Sequence, residues 1–214
     1  LLNSMQPGVR RANAWEETAV PPTVVPTLAG AHQARVLVVG AGYLGLSAAL
    51  HLAEGGVDVI VADAEMPGWG ASGRSGGQVI PGLKHDPGEL ESIFGRERGE
   101  RIWRFAGAAA DFVLDLVARH GLDCGARRAT WVQGIHAQAG VERARRGADD
   151  WAKRGAPVEF LSRAQVAAIA GTEIYVGAFA DHRAAALQPL SYVRELVRAA
   201  LGAGARIHAG ARVV

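Results

Sequence analysis

From Val36 to Asp63 the sequence reads VLVVGAGYLGLSAALHLAEGGVDVIVAD, an order of residue types that predicts a complete β-α-β unit. Val36-Leu37-Val38-Val39 has no polar break, which predicts a strand buried on both faces. Gly40-Ala41-Gly42-Tyr43-Leu44-Gly45 follows at once and fits G-x-G-x-x-G. Leu44, Ala48, Ala49 and Leu52 then recur at helical spacing, and Glu54-Gly55-Gly56 carries a C-cap signal. Val57 to Ala62 is a second strand of the buried type, with Asp63 at its end. The unit places the chain in the α/β class.

Each residue type has a physical task. Gly40 lets the chain turn tightly from strand into helix. Gly42 lets a pyrophosphate approach the backbone. Gly45 and Ala49 let the helix lie close on the sheet. The helix N-terminus, beginning at Tyr43 and Leu44, offers free N–H groups and a partial positive charge to phosphates. Asp63 lies 18 residues beyond Gly45, where a carboxylate accepts from both ribose hydroxyls of an adenosine and repels a 2′-phosphate. These residues predict a dinucleotide site. The bland alternative is a glycine-rich helix cap without a ligand.

Composition narrows the partners. In 214 residues, 49 % are hydrophobic, enough for a packed core, and the net charge of +2 gives no basic tract, so nucleic acid is not expected. No apolar run approaches the roughly 20 residues of a membrane span, and Leu1 to Gly8 lacks the pattern of a signal peptide. The single cysteine, Cys124, excludes an intramolecular disulfide and a cysteine-rich metal site, and no metal is expected. It fits a reducing compartment, so the expected location is cytoplasmic.

The segment after the second strand, Pro67-Gly68-Trp69-Gly70-Ala71-Ser72-Gly73-Arg74-Ser75-Gly76-Gly77-Gln78, has five glycines in twelve residues. It cannot pack a core of its own. It supplies backbone N–H groups, the Ser72 and Ser75 hydroxyls, the Gln78 amide and the Arg74 cation, a set suited to phosphate oxygens and the polar edge of a planar ring. Following Asp63 directly, it belongs at the carboxyl end of the sheet, where ligands bind in such folds. The alternative is a flexible linker.

The start G-A-G-Y-L-G-L-S-A-A-L-H-L-A, and above all G-A-S-G-R-S-G-G-Q, resembles the FAD-dependent oxidoreductases of the D-amino-acid oxidase and sarcosine oxidase class, in particular the gamma-glutamylputrescine oxidase-like branch. The proline-rich arm before the first strand resembles that branch too, as does Asp181 to Pro189, where Ala184-Ala185-Ala186 replaces the usual glycines. The resemblance covers the whole chain but only the first half of such a protein. It implies a Rossmann-like FAD-binding βαβ domain with an inserted α+β substrate domain and the C-terminal part missing. It also implies oxidation of an amine or amino acid C–N bond to an imine, with FAD as hydride acceptor. Gly40, Gly42, Tyr43, Leu44 and Gly45 would hold the pyrophosphate and Asp63 the ribose. Ser72, Gly73, Arg74, Ser75, Gly76, Gly77 and Gln78 would approach the ribityl chain and flavin ring. No catalytic residue is assigned.

The remainder divides into an extended arm over 1–34 anchored by Trp15, a first FAD-domain part over 35–85, a helical and substrate-domain region over 86–186, and a return over 187–214 that stops short. One long helix is expected over Arg98 to His120, with Phe105 and Phe112 on its apolar face. Strands are expected at Thr130 to Ala137, Pro157 to Leu161, Glu173 to Ala180 and Gly204 to His208, with another starting at Arg212. Ser162 caps a short helix and Pro189 begins one. His182 and Arg183 read as a surface loop. A chain of this extent is expected to lack turnover by itself and to self-associate through an open sheet edge. Two other functions remain open: an NAD-dependent dehydrogenase, which leaves the second glycine-rich segment without a task, and a non-catalytic nucleotide-binding module.

Overall fold

The structure, a computed structural model, describes residues 13–214. The first dozen residues of the arm lie outside it. The elements in chain order are β1 (Val36–Val39), α1 (Tyr43–Glu54), β2 (Val59–Ala62), β3 (Gln78–Val79), α2 (Pro87–Phe94), α3 (Arg96–Gly107), α4 (Ala109–His120), β4 (Arg127–Arg128) and β5 (Trp131–Ile135). Then come α5 (Val141–Lys153), β6 (Val158–Ser162), α6 (Arg163–Ala170), β7 (Gly177–Asp181), β8 (Ala185–Ala186), α7 (Pro189–Gly202) and β9 (Arg206–His208). They form two compact units. One runs to Gly77 and takes in 120–125 and 188–214; the other comprises 78–119 and 126–187.

The first unit is built on a parallel sheet in the order β1-β2-β9, with Val36 opposite Val59 and Ile60 opposite Arg206. β2 is central and buried throughout. β1 departs from the expected double burial: Leu37 is 55 % and Val39 64 % exposed. Strand periodicity sends Val36 and Val38 toward α1 and Leu37 and Val39 to the opposite face, which the described residues leave uncovered. β1 also has no strand on its outer side among the described residues.

Helix α1 differs from the expected register. Leu46, Ala49, Leu50 and Ala53 are buried, while Leu44 is 86 % exposed. The turn at Gly40 fixes the helix azimuth by bringing Gly45 against the end of β1: a Cβ at Gly45 would stand 2.0 Å from the Gly40 carbonyl oxygen. Helix α7 begins at Pro189, as expected, and buries Tyr192, Val193, Leu196 and Val197. It leads into β9, which runs parallel to β2. The arm joins this unit through a parallel bridge between Thr27 and Ala209.

In the second unit an antiparallel sheet has the order β5-β7-β6. Gly134 does not interrupt β5. It pairs with Ala178, and the Tyr175 ring occupies the space a side chain would fill. β7 begins later than expected, at Gly177, and Arg212 to Val214 forms no strand. The capping box at Ser162 and Gln165 and the left-handed Gly171 delimit α6 as the sequence requires. The single expected helix over Arg98 to His120 is two, α3 and α4, broken at Ala108. Small residues set this packing. A Cβ at Gly99 would stand 2.5 Å from Glu91 Cα, and one at Gly107 3.2 Å from the Trp151 ring. With close approach assigned to glycine and alanine, Phe105 is left 84 % exposed and Phe112 faces solvent too.

Arg183 corrects another expectation. Its Nε and terminal nitrogen donate to the Asp181 carboxylate at 3.0 and 2.6 Å, and its guanidinium lies 4.4 Å from the Trp151 ring centroid. Asp181 is only 2 % exposed, so this is a buried pair and not a solvated loop. His182 does remain at the surface, between Thr130 and Glu159.

Candidate functional site

The β1–α1 turn, the end of β2 and the glycine-rich segment meet within the first unit. Gly40 has a φ of 99°, in the region that favours glycine, so the chain leaves β1 and enters α1 without a side-chain clash. Gly42 is the N-cap of α1 and brings no side-chain cap of its own. The Tyr43 N–H instead donates to Ser72 Oγ at 3.1 Å. A Cβ on Gly42 would stand 2.9 Å from that same oxygen. The first turn of α1 therefore has no side chain at its N-cap, its Tyr43 N–H is engaged by the Ser72 hydroxyl, and the positive end of the helix lies behind both.

Asp63 closes the other side. One of its carboxylate oxygens accepts the Ala41 N–H at 2.6 Å and the other the Glu65 N–H at 2.8 Å. Two backbone donors fix the carboxylate plane, and each oxygen keeps a lone pair for a further donor. The half-buried carboxylate is thus preset at the carboxyl end of β2.

The glycine-rich segment has two kinds of glycine. Gly68 and Gly73 are packed: a Cβ at Gly68 would stand 2.9 Å from Val193 Cγ1, and one at Gly73 2.1 Å from the Gly68 carbonyl oxygen. Gly70 and Gly76 have nothing within 4 Å of a Cβ position and leave open backbone. Gly77 has a φ of 70° and ends the first stretch of the first unit. Gln78 belongs to the second unit, where it pairs with Ala186. Arg74 folds back on its own segment. Its Nε donates to the Trp69 carbonyl at 2.7 Å, and its guanidinium lies 5.6 Å from the Trp69 ring centroid. It lines a cavity of about 240 Å³ together with Asn13, Glu16, Leu190 and Arg194.

Tyr43 links the two glycine-rich stretches. Its hydroxyl donates to the Pro189 carbonyl at 3.2 Å, stands 3.5 Å from Ser75 Oγ, and its ring packs on Tyr192 at 5.3 Å. Burial raises the pKa of Tyr43 and pushes that of Tyr192 up to about 12. Sequence reasoning did not single out Gln188, whose side chain caps α7 through the Ser191 N–H at 2.6 Å. Its position directly before a helix-starting proline was the available signal. Cys124 is buried, and its carbonyl accepts the Gln188 N–H.

The residues fit a dinucleotide diphosphate: a glycine N-cap at Gly42 faced only by the Ser72 hydroxyl, a helix N-terminus, and an oriented carboxylate beyond the next strand. A family profile described as "DAO: FAD dependent oxidoreductase" matches residues 35–214. The chain belongs to this DAO family. Its cofactor is FAD.

This DAO-family chain is 31 % identical over 195 residues to the probable oxidoreductase OrdL of Haemophilus influenzae, covering 88 % of this chain and 44 % of that protein. It is 31 % identical over 159 residues to the gamma-glutamylputrescine oxidoreductase of Escherichia coli, covering 73 % of this chain and 37 % of that protein. The chain thus spans about half the length of the curated relatives it matches, or less. Its fold is shared with the glycine oxidase of Geobacillus kaustophilus, at a TM-score of 0.67 and 19 % identity over 84 % of this chain and 47 % of that one. It is shared too with the L-amino acid deaminase of Proteus myxofaciens, at 0.72 and 16 % over 90 % and 41 %. No helix among the described residues is long and apolar enough to cross a membrane, and they contain no cluster of potential metal ligands.

Proposed function

We propose that these residues form the cofactor-binding part of an oxidoreductase that oxidises a C–N bond of an amine or amino acid to an imine. The observation that carries this reading is the pairing of the Gly42–Ser72 cradle with the oriented Asp63 carboxylate in a chain of the DAO family. FAD held by these residues would supply the two-electron acceptor for that oxidation.

The chain's own residues bind and orient. The N-terminus of α1, with Gly42 and the Ser72 hydroxyl, meets the diphosphate, and Asp63 accepts from the ribose hydroxyls. Ser72, Arg74, Ser75, Gly76 and Gly77 approach the ribityl chain and ring, with Gln78 just beyond them. The substrate class is suggested by the gamma-glutamylputrescine oxidoreductase of E. coli, whose name states an amine-derived substrate. An NAD-dependent dehydrogenase is the weaker reading, because it leaves the exposed Ser75–Gly76 backbone without a ligand to meet.

We assign turnover to a protein of the relatives' length, of which this chain spans about half or less. The test is a titration of the flavin-free protein, at the relatives' full length, with FAD, followed by assay against a panel of amines and amino acids. Saturable FAD binding with amine-dependent flavin bleaching is expected. NAD-dependent turnover with no flavin uptake would overturn the reading.

A further inference from the structure

The segment expected to meet the flavin is packed at Gly73 and Gly77 but not between them. Arg74, Ser75 and Gly76 are all exposed. Its path is set by hydrogen bonds from the N-terminal arm. The Trp15 indole Nε1–H donates to the Ser75 carbonyl at 3.0 Å, and Asn13 Nδ2 donates to the Gly73 carbonyl at 3.4 Å. Both arm residues lie in one short turn, which Asn13 caps by accepting the Trp15 N–H at 2.9 Å.

The turn is itself held from the far end of the unit. Gln188 Nε2 donates to the Trp15 carbonyl at 2.7 Å and to Thr18 Oγ1 at 3.3 Å, while its Oε1 caps α7. Three residues on, Ser191 Oγ accepts the Val20 N–H at 3.1 Å, and Arg194 donates to the Val20 carbonyl at 2.6 Å. Pro189, next to Gln188, accepts from Tyr43, whose hydroxyl reaches Ser75 from its other side. The contacts close a ring: Tyr43, Ser75, Trp15, Gln188, Pro189 and back to Tyr43.

We infer that Trp15 is a positioning residue for the cofactor segment: with Gln188 as its anchor, it sets the conformation of Ser75–Gly77 that FAD meets. The inference rests on the FAD reading above. A chain with open glycines at 70 and 76 populates many loop conformations, and each state excluded before binding is an ordering cost removed from binding. A tether to a backbone carbonyl acts this way without touching the ligand.

Two variants separate this role from simple stability. Trp15→Phe keeps a ring in the turn but removes the N–H. Gln188→Glu keeps an acceptor for the Ser191 N–H but replaces the donor to Trp15. Each is titrated as flavin-free protein with FAD, the visible spectrum of bound flavin is recorded, and thermal unfolding of the flavin-free form is followed. Both variants are expected to raise the FAD dissociation constant about fivefold and to shift the visible flavin bands, whether or not the unfolding midpoint of the flavin-free form falls. Wild-type affinity and spectrum in Trp15→Phe would overturn the inference alone. So would weaker binding that only tracks a lowered unfolding midpoint while the spectrum stays fixed. Wild-type protein that takes up no FAD would overturn the functional reading, and this inference with it.

Discussion

The Ala41 N–H donates to the Asp63 carboxylate at 2.6 Å, joining the middle of the first glycine turn to the end of the second strand. Ala41 is fully buried, so its N–H has no water to turn to. Asp63→Ala should therefore have two effects. Stability should fall by about 1–3 kcal/mol, the cost of a buried donor left unsatisfied. FAD affinity should fall by about tenfold or more, since hydrogen bonds to a charged group contribute roughly 1.5–3 kcal/mol. Thermal unfolding of the flavin-free protein and a flavin titration read the two separately.

Gly42 and Gly45 belong to one motif but should fail differently. A Cβ at Gly42 meets only the end of the Ser72 side chain, which can rotate away. Gly42→Val should keep the far-UV circular dichroism of the parent and lose flavin on desalting. A Cβ at Gly45 meets the Gly40 backbone carbonyl, which cannot move without breaking the turn. Gly45→Ala should lose stability as well as flavin. Equal flavin retention in Gly42→Val and the parent would remove Gly42 from the site.

Arg74 is the only cation in the glycine-rich segment and is held against Trp69. Arg74→Ala should leave the fold intact and lower FAD affinity or turnover. Values for both within error of the parent would make Arg74 a surface residue.

Alkaline stability should depend on Tyr192. Burial raises its folded-state pKa to about 12, above the roughly 10 of an unfolded tyrosine. As the pH climbs past about 10 the unfolded chain releases this proton first, so stability is lost between that pH and about 12. Tyr192→Phe should flatten this part of the stability profile, measured by denaturant unfolding at stepped pH. A slope unchanged by the substitution would argue against the assignment.

In the second unit, Arg183→Met leaves the Asp181 carboxylate buried and without its partner. Breaking such a pair from one side costs about 3–5 kcal/mol, which a shift in the denaturation midpoint would report. Changing both residues to apolar ones should restore much of that loss, because the penalty comes from the uncompensated charge.

The sequence by itself determined what is local. The β-α-β unit, Gly40, Gly42 and Gly45 in their turn, Asp63 at the end of β2, the Ser162 cap and the Pro189 start all depend on residues near one another in the chain. Spacing and backbone preference are enough to specify them. Tertiary structure decided what depends on a distant partner or on which face is covered. The four apolar residues of β1 carry no mark distinguishing the side against α1 from the open one. The choice of Leu46 and Leu50 over Leu44 as core follows from the azimuth that Gly45 imposes on α1. The break between α3 and α4 lies at Ala108, beside Gly107, which packs against the Trp151 ring. The ties from Trp15 to Ser75 and from Gln188 to Trp15 span 60 and 173 residues, a separation at which neither periodicity nor propensity carries information. Only the folded chain brings those donors and acceptors into register.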